Sequence, residues 1–359
     1  MKNEFSMKNK FSTKKEISWT NQISPKERLL RTLKKQSVDR PPVICPGGMM
    51  NAAIVEIMNS TGHILPAAHH DNNLMSSLAM DVNRQTGFEN FGVPFCMTVE
   101  AEVLGSEINY GSLECEPKIQ KEVFPSVTQV EFKPISSMEN NKRVNAILKT
   151  IYDLSSQYTD IPVIGSLTGP VSTAASIVDP MTFLKQLRRD KENAHKVLDY
   201  VTEHLIKYAA LMIENGAATI SIADPTATGE ILGPKMFEEY AVPYLNKITD
   251  FIHKMGKPVI IHICGKMDSV IPQVARINSD AISVDAFVNL KKLKTEIPNI
   301  VTMGNVSTIA LEFGEPAKIT TITELLLRDK TDIIAPACGL STSTPLKNIK
   351  AMTDTVSGF

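Results

Sequence analysis

His262 and Cys264 stand two residues apart at the end of the apolar run Lys257-Pro-Val-Ile-Ile-His-Ile-Cys-Gly265. A second Cys-Gly pair, Cys338-Gly339, ends the run Asp332-Ile-Ile-Ala-Pro-Ala-Cys-Gly339. Residues i and i+2 of a strand face the same side, so His262 and Cys264 project into one cavity, and Cys338 can reach the same point from a neighbouring strand. One imidazole and two thiolates suit Zn²⁺. Three protein ligands leave one position for an exchangeable group, the pattern of a catalytic rather than a structural site. The spacing lacks the two close ligand pairs of a zinc finger, and Cys is often only a small buried hydrophobe. The metal therefore rests on the repetition of Cys-Gly at two strand ends, not on either motif alone.

The elements that must position these residues are legible from residue 24 onward. Ser24 can cap a helix that has Pro25 in its first turn and Glu27 as the capping-box partner, with Leu29, Leu30 and Leu33 at helical spacing. Asp39-Arg-Pro-Pro42 stops it, and Val43-Ile-Cys-Pro-Gly47 reads as a first buried strand. After Gly92-Val-Pro-Phe95, strands are expected at 161–166, 218–223, 258–264, 281–285, 300–304 and 333–337. Amphipathic stretches such as Met181 to Asn215 and Pro234 to Met255 lie between them, the first closed by Asn215-Gly216. Repeated βα units with short apolar strands indicate a parallel sheet, and a count near eight predicts a single (β/α)₈ TIM barrel. In such a barrel the site lies at the C-terminal strand ends. Asp224, His262, Cys264, Asp285, Asn305, Ser307 and Cys338 all have that address, although Asp224 and Asn305 also read as turn or cap residues. The stretch from about 98 to 140, with Gly105 and Gly111, reads as an elaboration over the barrel mouth.

Composition bounds the function. A chain of 359 residues, 43% hydrophobic, can bury a large core, and a net charge of −1 argues against a nucleic-acid binder built on a basic surface. Five cysteines, odd in number and widely spaced, fit a reducing compartment. No apolar run reaches the length of a membrane span. The basic, polar start, Met1 to Lys15, has no apolar core of a secretory signal, so a cytoplasmic location is expected. Residues 1–22 read as a flexible basic arm, and 23–359 as the barrel domain.

The ordered succession of motifs resembles the uroporphyrinogen decarboxylase superfamily, and within it the zinc-dependent methylcobamide:coenzyme M methyltransferases. It runs through Ser24-Pro-Lys-Glu-Arg-Leu-Leu30, Val38-Asp-Arg-Pro-Pro-Val43, Pro94 to Asn109, Gly169-Pro-Val-Ser172 and Ile222-Ala-Asp-Pro225. It then passes through His262-Ile-Cys-Gly265, Gly304-Asn-Val-Ser307 and Ala335-Pro-Ala-Cys-Gly339. The resemblance implies zinc ligation by His262, Cys264 and Cys338. The family's acidic residue, usually Glu, falls at Asp285, one methylene shorter, as a conditional fourth ligand. Asp224, Asn305 and Ser307 become candidates for substrate binding.

The implied reaction is attack of a zinc-activated thiolate on the methyl group of a methylated corrinoid, carried by a separate corrinoid protein, with coenzyme M as the expected acceptor. The alternative is the reverse transfer, from an aryl methyl ether, methylamine or similar donor onto the corrinoid. A true uroporphyrinogen decarboxylase would need cationic contacts for a polyanionic substrate, yet the loop Cys45-Pro-Gly-Gly-Met-Met-Asn51 contains neither Arg nor Lys. A catalytically idle scaffold on an old fold is a further alternative.

Overall fold

A computed structural model describes residues 23–359, so the expected arm at 1–22 lies outside the described residues. The sheet strands are β1 (Phe91–Val93), β4 (Val163–Thr168), β5 (Thr219–Ala223), β6 (Val259–Ile263), β7 (Ala281–Val284), β8 (Val301–Val306) and β9 (Ile333–Pro336). They pair in parallel in the order β1-β4-β5-β6-β7-β8-β9. A separate hairpin, β2 (Glu107–Asn109) with β3 (Lys118–Lys121), belongs to the mouth segment. The strands of the large sheet are almost wholly buried, as expected where helices cover one face and packed side chains the other.

The sheet thus has seven strands rather than the expected eight. The Val43 segment is the one that shrinks, to a single parallel bridge with Ile334. Pro42 and Pro46 flank it and have no N–H to extend a ladder. The segment nevertheless bonds to both edges of the sheet. Ile44 donates to Ile334 O and Ile334 to Pro42 O on the β9 side, while Glu89 N donates to Val43 O on the β1 side. The Asn90 side chain completes the second seam, its Oδ1 accepting from Cys45 N at 2.9 Å and its Nδ2 donating to Cys45 O at 2.8 Å.

At the opposite end from the Cys-Gly motifs, a buried ion cluster ties the first helix, Pro25–Leu33, to this seam. Arg28 Nη1 donates to Glu89 Oε1 at 2.7 Å, and Arg40 Nη2 donates to the same oxygen at 2.6 Å. Glu89 Oε2 accepts from Val43 N at 3.0 Å. Arg28 also forks onto Asp39 at 2.7 and 2.6 Å and, chiefly through that hydrogen bond, holds the Asp39 carboxyl below its ordinary range. Ser24 caps the helix through Glu27 N, as expected. Glu27 departs from the capping box: its carboxylate pairs with Arg31.

Two expected helices are each divided. The stretch from Met181 to Asn215 breaks at Asp190, whose non-helical backbone ends Pro180–Arg189 and whose side chain caps Lys191–Glu214. The stretch from Pro234 to Met255 breaks at Ala241, because Pro243 in the first turn of Val242–Lys254 cannot continue an existing helix. Among the described residues no helix is long and apolar enough to cross a membrane.

The mouth segment between β1 and the helix Lys142–Gln157 is pinned from below by Arg143. Its guanidinium, 2% exposed, reaches Glu102 Oε2 at 2.6 Å, Cys96 Sγ at 2.8 Å and Thr98 Oγ1 at 3.1 Å, and lies 5.3 Å from the Tyr110 ring centroid. The ion cluster at the other end offers a clean test of the seam. Glu89→Ala leaves the buried Arg28 and the half-buried Arg40 without their shared carboxylate, and should cost roughly 3 kcal/mol. The expected result is a lower urea midpoint with unchanged thiol reactivity at the Cys-Gly motifs; an unchanged midpoint would show that the cluster does not hold the seam.

Candidate metal centre

Parallel pairing in sequence order puts the C-terminal ends of β5 to β9 on one rim, and this brings the motif residues together. His262 is the penultimate residue of β6, Cys264 follows its last residue, and Cys338 lies two residues beyond β9. The ligand atoms of these three residues all lie within 4.8 Å of one another. His262 Nε2 is 3.1 Å from Cys264 Sγ, and Cys264 Sγ is 3.7 Å from Cys338 Sγ. A disulfide requires sulfurs about 2.05 Å apart, and both cysteines are free. His262 is fully buried, and the two thiols are half-buried.

Each side chain is aimed by its neighbours. In the β6–β7 register His262 pairs with Ser283, and Ser283 Oγ lies 2.9 Å from His262 Nδ1. Engaging Nδ1 leaves Nε2 free for the cluster. Gly265 turns the chain away after Cys264 with φ +66°, where a side chain would also strike Glu230. Gly339 lets the Cys338 loop come close to the first loop, since a Cβ there would stand 2.6 Å from Met49 O.

The electrostatics of the cluster follow from this crowding. The Cys338 thiol is pushed below its ordinary range, chiefly by its hydrogen bond with Cys264, with His262 adding to the effect. The same neighbour drives the Cys264 thiol far above its ordinary range, and burial adds to that. Two thiols this close resist ionising together, so without a cation the first proton leaves far more readily than the second. A donor set of one imidazole and two sulfurs at these separations can hold a metal ion of borderline softness, Zn²⁺ above all.

The other expected site residues have different positions. Asp285 stands just past β7 beside the cluster but outside it: its Oδ2 accepts from Gly265 N at 3.3 Å. Asn305 Nδ2 donates to Asp285 O and Val288 O, both at 2.8 Å, and so fixes the turn that carries Asp285. Ser307 caps the helix Thr308–Phe313 through Ala310 N. Asp224 is fully buried, and its oxygens accept from Ser172 Oγ at 2.6 Å, Ser172 N at 2.8 Å and Val171 N at 3.1 Å. Burial raises its carboxyl, and these donors oppose the rise. The structure thus gives Asp224, Asn305 and Ser307 tasks within the backbone of the rim.

Three contributors escaped the sequence reading. Ser283 was visible only as a polar residue on the same strand face as Asp285. Met49, in the loop after Val43, places its Sδ 3.8 Å from Cys264 Sγ. Glu116, in the mouth segment, accepts from the buried Asn51 amide at 2.7 Å. Burial pushes its carboxyl up, and the negative charge of Cys338 adds to the rise. No spacing rule links residue 116 to residue 338.

With the site described, comparison with known proteins becomes specific. The family model for uroporphyrinogen decarboxylase (URO-D) matches residues 24–359. The chain belongs to the URO-D family. It is 34% identical over 340 residues, 94% of this chain and 99% of the relative, to the methylcobamide:CoM methyltransferase MtbA of Methanosarcina acetivorans. It is 30% identical over 338 residues, 92% of this chain and 97% of the relative, to the methylcobamide:CoM methyltransferase MtaA of Methanosarcina barkeri. A solved methyltransferase from Methanosarcina mazei superposes with a TM-score of 0.87 at 30% identity, covering 94% of this chain and 99% of the other. The resemblance drawn from the motif succession is borne out.

The paired thiols give this site a testable signature. In zinc-depleted protein, Cys338 should keep reacting with iodoacetamide well below the pH at which an ordinary thiol, with a pKa of ~8.5, has already slowed. Cys264→Ala removes the hydrogen-bond donor and should move that profile upward. Equal reactivity of the two thiols across the range would contradict the sharing of one proton.

Proposed function

We propose that this chain transfers a methyl group from a methylcobamide, presented by a separate corrinoid protein, to a small thiol, coenzyme M. The reaction would run at a Zn²⁺ held by His262, Cys264 and Cys338, inside a closed (β/α)₈ barrel whose eighth stave is the Val43 segment. The observation that carries this reading is the His–Cys–Cys cluster, whose three donor atoms lie within 4.8 Å of one another at the strand ends. Relatives named as methylcobamide:CoM methyltransferases, aligned over nearly their whole length, support the choice of donor and acceptor. The loop at 45–51, beside the cluster and without Arg or Lys, disfavours a polyanionic substrate such as a porphyrinogen.

When bound, Zn²⁺ supplies a Lewis-acidic position that lowers the pKa of a thiol placed there. The chain's own residues do the rest. Ser283 keeps His262 Nε2 turned towards the cluster, the two cysteines supply negative charge, and Asp285 steadies the Gly265 turn through its backbone N–H. Neither thiol is fully buried, and holding donor and acceptor in line there would supply the orientational part of catalysis. In the transfer, a sulfur lone pair of the deprotonated thiol forms the new S–C bond. The Co–C bond breaks with both electrons staying on cobalt, which passes from Co(III) to Co(I). No side chain acts as nucleophile.

Two measurements test this. Chelator-washed protein should retain about one zinc per chain, and zinc should be lost when Cys264 and Cys338 are both replaced by Ala; unchanged zinc content would falsify the ligand set. Purified protein should methylate coenzyme M from free methylcobalamin and release close to one proton per site on thiol binding at pH 7, read by calorimetry in buffers of different ionisation enthalpy. Thiol binding without proton release, while methyl transfer continues, would exclude the deprotonated thiol as nucleophile.

The orientation of His262 has its own test. Ser283→Ala should weaken zinc by roughly 10–100-fold in competition with a chromophoric chelator, with Ser283→Thr restoring it. Equal affinity in all three proteins would mean that Ser283 has no part in holding the metal.

A further inference from the structure

We propose that the thioether of Met49 occupies the fourth position of the metal centre when no thiol substrate is bound, and yields it to the incoming sulfur. This rests on the zinc reading above and adds a residue that the ligand motif does not contain.

The geometry points to Met49 in three ways. Zinc–sulfur bonds are near 2.3 Å, so two sulfurs on a tetrahedral zinc stand about 3.8 Å apart. Cys264 Sγ lies 3.7 Å from Cys338 Sγ and 3.8 Å from Met49 Sδ. Both separations match the edge of one tetrahedron with Cys264 at a shared corner. Second, Met49 is held in place by backbone. Gly47 and Met50 exchange hydrogen bonds of 2.9 Å in both directions, and Gly339, next to Cys338, lets Met49 approach so closely that a Cβ would meet Met49 O at 2.6 Å and Met49 Cγ at 3.9 Å. Third, the carboxylate expected in this role is occupied elsewhere. Asp285 lies on Gly265 N and is not among the clustered donor atoms.

The chemistry suits an exchangeable position. A thioether is soft and neutral, so it completes the coordination of a zinc already carrying two thiolates without adding charge. An anionic thiolate binds more strongly and displaces it, the thiol proton passing to solvent. The methylated product is itself a neutral thioether, no better a ligand than Met49. Once methyl transfer has removed the charge from the substrate sulfur, Met49 can retake the position, and product release needs no water at the metal.

Selenomethionine labelling tests this in the otherwise unaltered protein, because it replaces methionine sulfur and leaves cysteine sulfur alone. The zinc-edge X-ray absorption spectrum of labelled, thiol-free protein should contain a selenium scatterer in the first shell. That scatterer should vanish on addition of coenzyme M, and should be absent from labelled Met49→Leu protein, which distinguishes Met49 from neighbouring Met50. Met49→Leu should keep its zinc and show several-fold stronger inhibition by S-methyl coenzyme M. Full zinc occupancy with no selenium in the first shell would overturn the role of Met49 while leaving the zinc reading intact. Protein that holds no zinc would overturn both. A selenium scatterer that persists at saturating thiol would make Met49 a permanent ligand and overturn the exchange.

Discussion

Two sulfurs separated by 74 residues in sequence stand 3.7 Å apart at the rim of the sheet, and the surrounding structure is organised around that approach. Neighbouring thiols resist joint ionisation, because each thiolate raises the cost of the other. With a thiolate at Cys338, Cys264 keeps its proton. A divalent cation would remove the conflict by binding both sulfurs as thiolates, with the imidazole as a neutral third donor. The fold holds the three donor atoms within 4.8 Å of one another, so a metal would have little rearrangement to impose.

What holds the sulfurs there is parallel strand pairing. Because β5 to β9 run in the same direction and in sequence order, all their C-terminal ends meet on one rim, and residues at equivalent positions become neighbours whatever their separation in sequence. The register decides the finer contacts. Moving β7 by one residue against β6 would turn Ser283 to the other face and leave His262 Nδ1 without its partner. At the far end, the Arg28–Glu89–Arg40 cluster and the Asn90 amide secure the seam at which the reduced first strand joins the sheet.

Above the rim, three loops interlock. Val55 N donates to Thr342 O at 2.8 Å, Thr342 Oγ1 to Glu114 O at 2.7 Å, and Asn51 to Glu116 at 2.7 Å. These bonds join the loop that carries Met49, the loop that follows Cys338, and the mouth segment. The loop nearest the cluster brings the Met49 thioether and the Asn51 amide, and no Arg or Lys, to this rim.

Much of this was legible in the residues themselves. The alternation of a strand puts His262 and Cys264 on one face, and Cys338-Gly339 repeats the pattern at a second strand end. The helix starts at Ser24 and the close at Asn215-Gly216 depend only on local backbone chemistry, and local chemistry is written in order along the chain. The Val43 strand was overestimated because its apolar residues advertise burial, whereas the prolines on either side limit its hydrogen bonding. Asp224, Asn305 and Ser307 share the site's address, yet they bond to backbone groups of the rim and, for Asp224, also to the Ser172 hydroxyl. Ser283, Met49 and Glu116 could be found only in three dimensions: their relevance depends on strand register and loop approach, which join residues distant in sequence. The sequence by itself determined the donor types and the strand ends that bear them. Tertiary structure decided which sulfurs meet and which carboxylate stays outside, because those outcomes depend on distances between chain segments that carry no local signal.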